Sequence, residues 1–211
     1  MKRILIALAV LLAVQVADAQ TKSPEAAKKA VESAEAASKD AKKATKVATW
    51  LKLASSYMDA YNAPAGSAWL GASKQELQLI MGNDRPVSVE EVVLGTDQLI
   101  KETYSNKEFY FSPAGQLVLI NVTQPVVEDA LGGALEAYKK AYEVDVKQSK
   151  TKDIVTGLST IAQKYLDEGM NSYTFGDLVK ASQLFEKAVE ASATAPLSKV
   201  DTTALYNAGY T

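Results

Sequence analysis

The sequence predicts a mostly α-helical fold of stacked helical hairpins, with a small α+β element inserted into the first hairpin. Two observations favour the hairpins. Within the stretch 161–189, apolar residues recur at three- and four-residue steps on one helical face: Leu178, Ala181, Leu184, Phe185 and Ala188. Just upstream, Gly176 stands where a tight turn would let the preceding helix fold back. The insertion is indicated by three runs rich in branched and aromatic residues between residues 98 and 123.

The N-terminus has the pattern of an export signal. Two basic residues precede an apolar run over residues 4–14, and Ala17 and Ala19 form an A-x-A pattern with cleavage expected after Ala19. The apolar run is too short to span a bilayer comfortably. We therefore expect a signal peptide over residues 1–19 and a mature chain in the periplasm or cell envelope with no membrane span.

Composition excludes several classes of function. The chain contains no cysteine and no histidine, which removes disulfides, Cys/His nucleophilic pairs and the usual zinc ligand sets. After loss of the signal peptide the net charge is about −3, so nucleic acid is not the expected partner. A mature chain of about 190 residues is long enough to bury a substantial core.

An enzyme built from this chain would depend on carboxylates. The neighbouring pairs Glu90–Glu91 and Glu128–Asp129 are adjacent in sequence and would point in different directions on a helix, which is poor geometry for shared acid–base work. The turn pair Asp84–Arg85 is more typical of a local salt bridge. The sequence contains no nucleophile elbow, phosphate loop or calcium loop. We expect no enzyme activity, no cofactor and no metal.

The N-terminal helices occupy residues 20–61. Ser23 is a candidate cap for a helix over Pro24–Ser38, whose alanine-rich apolar stripe is thin. Its mixed-sign charges favour a solvated helix face over a basic docking patch. After a break near Ser38–Asp40, a second helix is predicted to about Tyr61.

Residues 62–124 form the predicted insertion. Capping-box patterns at Ser73-x-x-Glu76 and Ser88-x-x-Glu91 predict two short helices, over Lys74–Met81 and Val89–Val93. A three-stranded antiparallel meander should follow, because the branched and aromatic runs are separated by turn residues. The expected strands are Gln98–Tyr104, Lys107–Ser112 and Gln116–Thr123. Such a small meander should lie with one face on the helices.

Residues 125–211 return to the helical pattern. Pro125 is expected to open a helix continuing to Val144, and the Gly132–Gly133 pair inside it suggests close approach of another backbone. A hairpin from Thr151 follows, and a last helix is capped at Asp201. The final half hairpin would expose its apolar face. We expect the sequence to be a fragment of a longer array; the alternative is that Leu205, Tyr206 and Tyr210 dock onto something.

Spaced residues in both helical regions resemble a known repeat. Trp50, Leu53, Ala54 and Tyr57 follow W-x2-L-G-x2-Y with alanine for glycine, and Ala134 to Tyr138 follows A-x3-F with tyrosine for phenylalanine. The stretch 161–189 matches more fully. The chain thus resembles a tetratricopeptide repeat protein of exported bacterial type, with its first repeat split by the insertion. The resemblance implies a helical-hairpin solenoid.

The family likeness also implies a function. Such proteins are noncatalytic scaffolds that hold a peptide or partner helix in a groove lined by first helices. Carried over by position, the partner-binding residues would be Met58, Gln163, Leu166, Met170, Tyr173, Tyr206 and Tyr210. Ordinary packing against neighbouring hairpins is the alternative interpretation of Met58, Met170 and Tyr173.

The insertion is a second candidate surface. Phe109, Tyr110 and Phe111 are consecutive, so both faces of their strand carry rings and at least one ring is a candidate for exposure beside Trp69. This surface would suit a carbohydrate-linked or substrate-handling accessory protein. The alternative is a small satellite core under a loop.

Overall fold

The structure, a computed structural model, describes residues 21–211, and the predicted signal peptide over residues 1–19 lies outside them. The described chain forms seven α-helices and one four-stranded antiparallel sheet. The helices are α1 (Pro24–Ser38), α2 (Val47–Asn62), α3 (Lys74–Ile80), α4 (Ala130–Val144), α5 (Thr151–Thr174), α6 (Leu178–Ala193) and α7 (Thr202–Tyr210). The strands are β1 (Ser88–Leu94), β2 (Asp97–Thr103), β3 (Lys107–Phe111) and β4 (Leu117–Val122).

The predicted fold class is wrong. In place of a mostly α, tetratricopeptide-like solenoid with a three-stranded insertion, the described residues form a mixed α+β fold. The sheet has a core of its own, separate from the helical core, and so is a substantial part of the architecture. Helical spacing reports which face of a helix is buried, but it does not report what covers that face.

Helices α2 and α4 pack against each other although residues 63–129 separate them in sequence. Leu53 and Ala54 of α2 share a buried cluster with Ala137 of α4. The ring of Tyr57 lies directly over Gly133, where an added Cβ would stand 2.7 Å from Cζ. The glycine pair thus allows close approach of a side-chain ring at Gly133, and not of another backbone as the sequence suggested.

Helices α5 and α6 form a hairpin closed at Gly176, which has a φ of 80° that favours glycine. The predicted turn at this glycine is confirmed. Gly169 of α5 accommodates the ring of Phe185 from α6, since a Cβ there would lie 2.5 Å from Cε1 of that ring. Ile154, Leu158 and other apolar residues of the hairpin are buried in the largest helical cluster.

Helix α4 begins later than the sequence predicted. Pro125 lies outside the helix, and Asp129 is the N-cap, whose side chain accepts a hydrogen bond from the Gly132 amide at 3.1 Å. The carboxylate of Asp129 lies over Gly132, so this glycine leaves room for the cap. The helix start is therefore fixed by an acidic cap close to the positive end of the helix dipole.

The sheet has the strand order β1-β2-β3-β4, with every neighbouring pair antiparallel. The predicted helix over Val89–Val93 is wrong, because these residues lie in β1 and pair along its whole length with β2. The predicted helix from Lys74 is present as α3, with a complete capping box between Ser73 and Glu76. Leu77 of α3 packs on the face of the sheet that carries Phe109 and Phe111.

One aromatic contact links the sheet to the helical hairpin. Tyr110 of β3 and Phe175, at the end of α5, meet edge to face with centroids 5.5 Å apart. Tyr110 lies on the face of the sheet opposite Phe109, because successive strand residues alternate between faces. At β3, α3 therefore lies on one face of the sheet, and the end of α5 lies against Tyr110 on the other.

In residues 21–211, no helix combines the length and the apolar character needed to cross a bilayer.

Candidate protein-binding surface

Apolar side chains remain exposed where the end of α5 lies beside α7. Met170, Tyr173, Tyr206 and Tyr210, hereafter the helical patch, are 48%, 41%, 69% and 70% exposed. The Nδ2 atom of Asn207 lies 3.9 Å from the sulfur of Met170 and joins the two helices. This contact brings the exposed residues of α5 near those of α7, and the patch contains four of the seven predicted partner-binding residues.

The two tyrosines of α7 are held in register with each other. Tyr206 and Tyr210 are four residues apart on one helical face, and their rings are stacked 6.0 Å apart with an interplanar angle of 13°. Asp201 caps α7 by accepting the Ala204 amide at 2.9 Å. Ser182 of α6 donates to the Ala208 carbonyl at 3.3 Å. These contacts fix α7 on α6 and present both rings outward.

The other predicted partner-binding residues differ in exposure. Met58 and Leu166 are half-buried and pack against the helical core, as the packing interpretation expects for Met58. Gln163 is exposed and donates to Asp167 one turn further along α5 at 2.8 Å. Of the seven predicted partner-binding residues, Met170, Tyr173, Tyr206 and Tyr210 are therefore the ones that offer exposed apolar surface.

Charge beside the helical patch is acidic. Asp167 lies three residues before Met170 and so is its neighbour on the surface of α5. Glu168 accepts a hydrogen bond from the Tyr61 hydroxyl of α2 at 2.8 Å. Burial, together with the charge of Glu168, raises the pKa of Tyr61, which keeps this hydroxyl a donor. The bond ties α2 to α5 and fixes the Glu168 carboxylate.

The aromatic surface expected on the insertion is not present. Phe109, Tyr110 and Phe111 are all buried, at 0%, 5% and 1% exposed. The phenylalanines belong to the core beneath α3, which is the satellite core that the sequence allowed as the alternative. Trp69 is 48% exposed and Leu70 beside it is 59% exposed. Of the four predicted residues on this surface, only Trp69 is accessible.

A small cavity lies between α3, β2 and the loop that precedes β1. Its volume is about 70 Å³, below the roughly 300 Å³ of the smaller ligand sites. The polar groups around it are paired with one another. Lys74 lies 2.7 Å from Glu102, which also accepts from the Tyr104 hydroxyl at 3.0 Å. The cavity wall is a satisfied polar network and not a set of groups awaiting a ligand.

Among the carboxylates considered for catalysis, Glu90, Asp84 and Asp129 have structural partners. Glu90 forms a salt bridge with Lys101 at 2.7 Å. Asp84 pairs at 2.6 Å with Lys107, not with its neighbour Arg85, which donates to the carbonyls of Gly82 and Asp84. Within residues 21–211, no three acidic side chains converge in a way that could hold a metal ion.

Lys107 is the most deeply buried of these charged groups. Its side chain is 6% exposed and lies over the rings of Tyr104 and Phe109, with Nζ 5.0 and 5.6 Å from their centroids. The single charge is balanced by Asp84 at the rim. The pair fastens the loop after α3 to the sheet.

Comparison with known proteins gives no relative. No protein-family model, no curated protein and no solved structure matches this chain. The case for function therefore depends on the geometry of the described surfaces.

Sequence reasoning missed two features of these surfaces. Asn207 was not singled out, although its position beside Tyr206 and opposite α5 makes it the bridge to Met170. The outer side of β1 was missed because its residues were assigned to a helix. The branched residues Val89, Val92 and Val93, followed by Gly95, are the signal that could have identified a strand and hairpin there.

Proposed function

We propose that this protein is a noncatalytic protein-binding module that holds a peptide or partner helix against the helical patch. The observation that carries the proposal is the two-helix apolar surface formed by Met170, Tyr173, Tyr206 and Tyr210. Aromatic residues and methionine are enriched at protein interfaces, where they supply large contact area. Scattered single apolar residues need no such explanation, but two exposed pairs on helices that meet at Asn207 and Met170 do.

The chemistry of the patch describes its partner. Stacked tyrosines give flat apolar faces with hydroxyl groups at their edges, and the flexible thioether of Met170 adapts to different shapes. An amphipathic helix that places apolar side chains at i, i+3 and i+4 fits such a surface. Asp167 at the α5 border favours a partner with lysine or arginine beside its apolar residues.

The predicted export signal suggests where this binding would take place. A chain exported to the periplasm or cell envelope would meet its partner there, as one component of an envelope assembly. The partner would be a protein or peptide, with no role for nucleic acid.

A displayed random-peptide library tests the proposal. Peptides selected on the chain would be measured by calorimetry against wild type and against Met170→Glu and Tyr206→Ala. Both substituted side chains are about half exposed or more, so the fold should be retained. We expect each change to weaken binding by about tenfold or more, as for a central interface residue.

Two matched controls replace exposed apolar residues on the inserted element. Leu79→Ala removes a side chain that is 85% exposed, and Trp69→Ala tests the rival surface. Both should leave binding unchanged. Loss of binding with Trp69→Ala alone would favour an accessory protein that binds through the insertion. Failure to select any peptide whose binding depends on the helical patch would contradict the proposal.

A further inference from the structure

The two outer strands of the sheet differ in what pairs with them. At the start of β4, residues 71–73 lie alongside the strand: the Gly71 amide donates to the Leu117 carbonyl at 2.7 Å, and the Leu117 amide donates to the Ala72 carbonyl at 2.8 Å. At the β1 edge, no segment of the described chain pairs with the strand. The edge of β1 is therefore open.

The register shows which backbone groups face outward. The hairpin between β1 and β2 has a two-residue turn after Leu94, so Leu94 and Asp97 form the closing pair that exchanges hydrogen bonds. Hydrogen-bonded pairs alternate along an antiparallel ladder. The inward-bonded residues of β1 are thus Ser88, Glu90, Val92 and Leu94. The amides and carbonyls of Val89, Glu91 and Val93 point away from the sheet.

This edge has little of the usual protection against pairing. Open edges are commonly blunted by shortness, bulges, proline or charged side chains, lysine above all. Strand β1 is seven residues long, pairs without a bulge and contains neither proline nor lysine, and its only charged residues are Glu90 and Glu91. The residues whose amides and carbonyls point away from the sheet, Val89, Glu91 and Val93, are hereafter the outward row. The side chains of Val89 and Val93 are 57% and 65% exposed. The strand presents both the backbone groups and the branched side chains that another strand would use.

The charge of the outward row indicates which kind of strand would pair with β1. Glu90 lies on the other face and has Lys101 at 2.7 Å. Glu91 lies between Val89 and Val93 in the outward row, and within residues 21–211 it forms no salt bridge. A cation opposite Glu91 would give the row a complete set of cross-strand partners.

A second copy of this chain fits poorly. The antiparallel register that pairs all seven residues of β1 with themselves places Glu91 directly opposite the Glu91 of the other copy. Like charges in direct cross-strand pairs are destabilising. The favoured occupant is therefore a strand of another protein that carries a basic residue at this point.

We propose that the open edge of β1 binds an extended, basic segment of a partner protein by strand addition. A lysine or arginine of that segment lies opposite Glu91, and branched apolar residues lie opposite Val89 and Val93. This interaction uses main-chain hydrogen bonds for affinity and alternate side chains for specificity. It is independent of the helical patch, which lies on α5 and α7.

A symmetric heptapeptide provides the probe, Thr-Val-Thr-Lys-Thr-Val-Thr with both ends capped, and the control peptide has Glu in place of Lys. Amide chemical shifts and calorimetry on the isotope-labelled chain report where and how tightly each binds. The Lys peptide should shift the amides of Val89, Glu91 and Val93, and it should bind roughly five- to tenfold tighter than the Glu peptide.

Two variants complete the test. Glu91→Lys should reverse the preference, so that the Glu peptide binds tighter. Val89→Pro should abolish binding while the fold is kept, because the lost amide faces outward and makes no bond to β2. The unfolding midpoint of each variant checks the fold.

Several results would overturn the inference. They are no binding of the Lys peptide at about 1 mM, equal binding of the two peptides, shifts confined to other elements, or an unchanged preference in Glu91→Lys. Self-association of the chain through β1, seen as concentration-dependent shifts at Val89 and Val93, would show that a second copy is the occupant instead.

Discussion

Replacement of Gly133 by alanine is the sharpest test of the contact between α2 and α4. An added Cβ would stand 2.7, 2.8 and 2.9 Å from Cζ, Cε1 and Cε2 of Tyr57, closer than real Cβ contacts. The ring cannot retreat freely, because its hydroxyl donates to Glu35 of α1 at 2.6 Å. The substitution therefore has to displace α4 or break that hydrogen bond.

The expected magnitude follows from two opposed effects. Overpacking costs about 1–3 kcal/mol, whereas alanine gains up to about 1 kcal/mol over glycine in a helix interior. Because the added Cβ would lie under 3 Å from three ring atoms, the upper part of the overpacking range, about 2–3 kcal/mol, applies, and the net loss of unfolding free energy should be about 1–2 kcal/mol. For a domain of this size, that lowers the melting temperature by about 2–8 °C.

The assay is urea unfolding followed by circular dichroism, with Gly209→Ala as the matched control. Gly209 is also helical, yet nothing lies within 4 Å of the position of its Cβ. That variant should be neutral or slightly more stable. The reasoning is refuted if Gly133→Ala matches wild type or Gly209→Ala in stability. In a Tyr57→Leu background, the cost of alanine at 133 should shrink, because the ring it collides with is gone.

Two pH-dependent predictions concern groups that hold elements together. Burial and the hydrogen bond to Glu35 raise the pKa of Tyr57 to about 12, so its stabilising effect is complete below the ordinary tyrosine pKa of 10.0 and is lost as pH rises through 12. The difference in tyrosinate absorbance between wild type and Tyr57→Phe should titrate near pH 12, and a midpoint near 10 would contradict this. For Glu108, burial acts to raise the pKa, but hydrogen bonds from Asn121 and Tyr110 and the charge of Lys101 outweigh it and lower the pKa below 4.5. The contribution of Glu108 to stability is present above pH 4.5 and is lost as pH falls through the lowered pKa. Glu108→Gln should therefore lose about 1–2 kcal/mol of unfolding free energy at pH 7 and less in acid. Equal losses at both pH values would argue against the hydrogen-bond network around Glu108.

Local signals in the sequence placed most helices well. The cap at Ser23 and the first-turn proline locate α1 over Pro24–Ser38, as predicted. The capping box at Ser73 locates α3, and Asp201 locates α7. These features are local because a cap depends on atoms within one turn of the helix.

The capping-box pattern failed at Ser88. The spacing to Glu91 fits a helix start, but the following residues are branched and exposed, and they gain more from pairing with β2. A pattern of two residues contains no information about hydrogen bonds to a strand that lies later in the chain. The predicted three-stranded meander was therefore one strand short.

The fold class needed information that no local pattern holds. Ala181, Phe185 and Ala188 of the predicted apolar face are buried, whereas Leu178 on the same predicted face is 45% exposed, so the helical periodicity identified most of the buried face. The burial of Tyr110 depends on its contact with Phe175, which is 65 residues away in sequence. Periodicity identifies a buried face, and only the tertiary structure identifies its partner.

The candidate surface was partly predictable for the same reason. The repeat resemblance, carried over by position, gave Met170, Tyr173, Tyr206 and Tyr210 as partner-binding residues, and all four are exposed. Three consecutive rings in β3 gave an ambiguous signal, since either face could have been open. Burial of both faces, by α3 and by the α5–α6 turn, decided it.

The helical part of the fold depends on the packing of α2 against α4, which lie on the two sides of the inserted element in sequence. Nuclear Overhauser spectroscopy measures it directly, through cross-peaks between the ring protons of Tyr57 and the α protons of Gly133. We predict strong cross-peaks, together with a ring-current shift of the Gly133 α protons away from their unfolded position. Absence of the cross-peaks, with Gly133 shifts typical of a solvent-exposed helix, would show that α2 and α4 are not packed together.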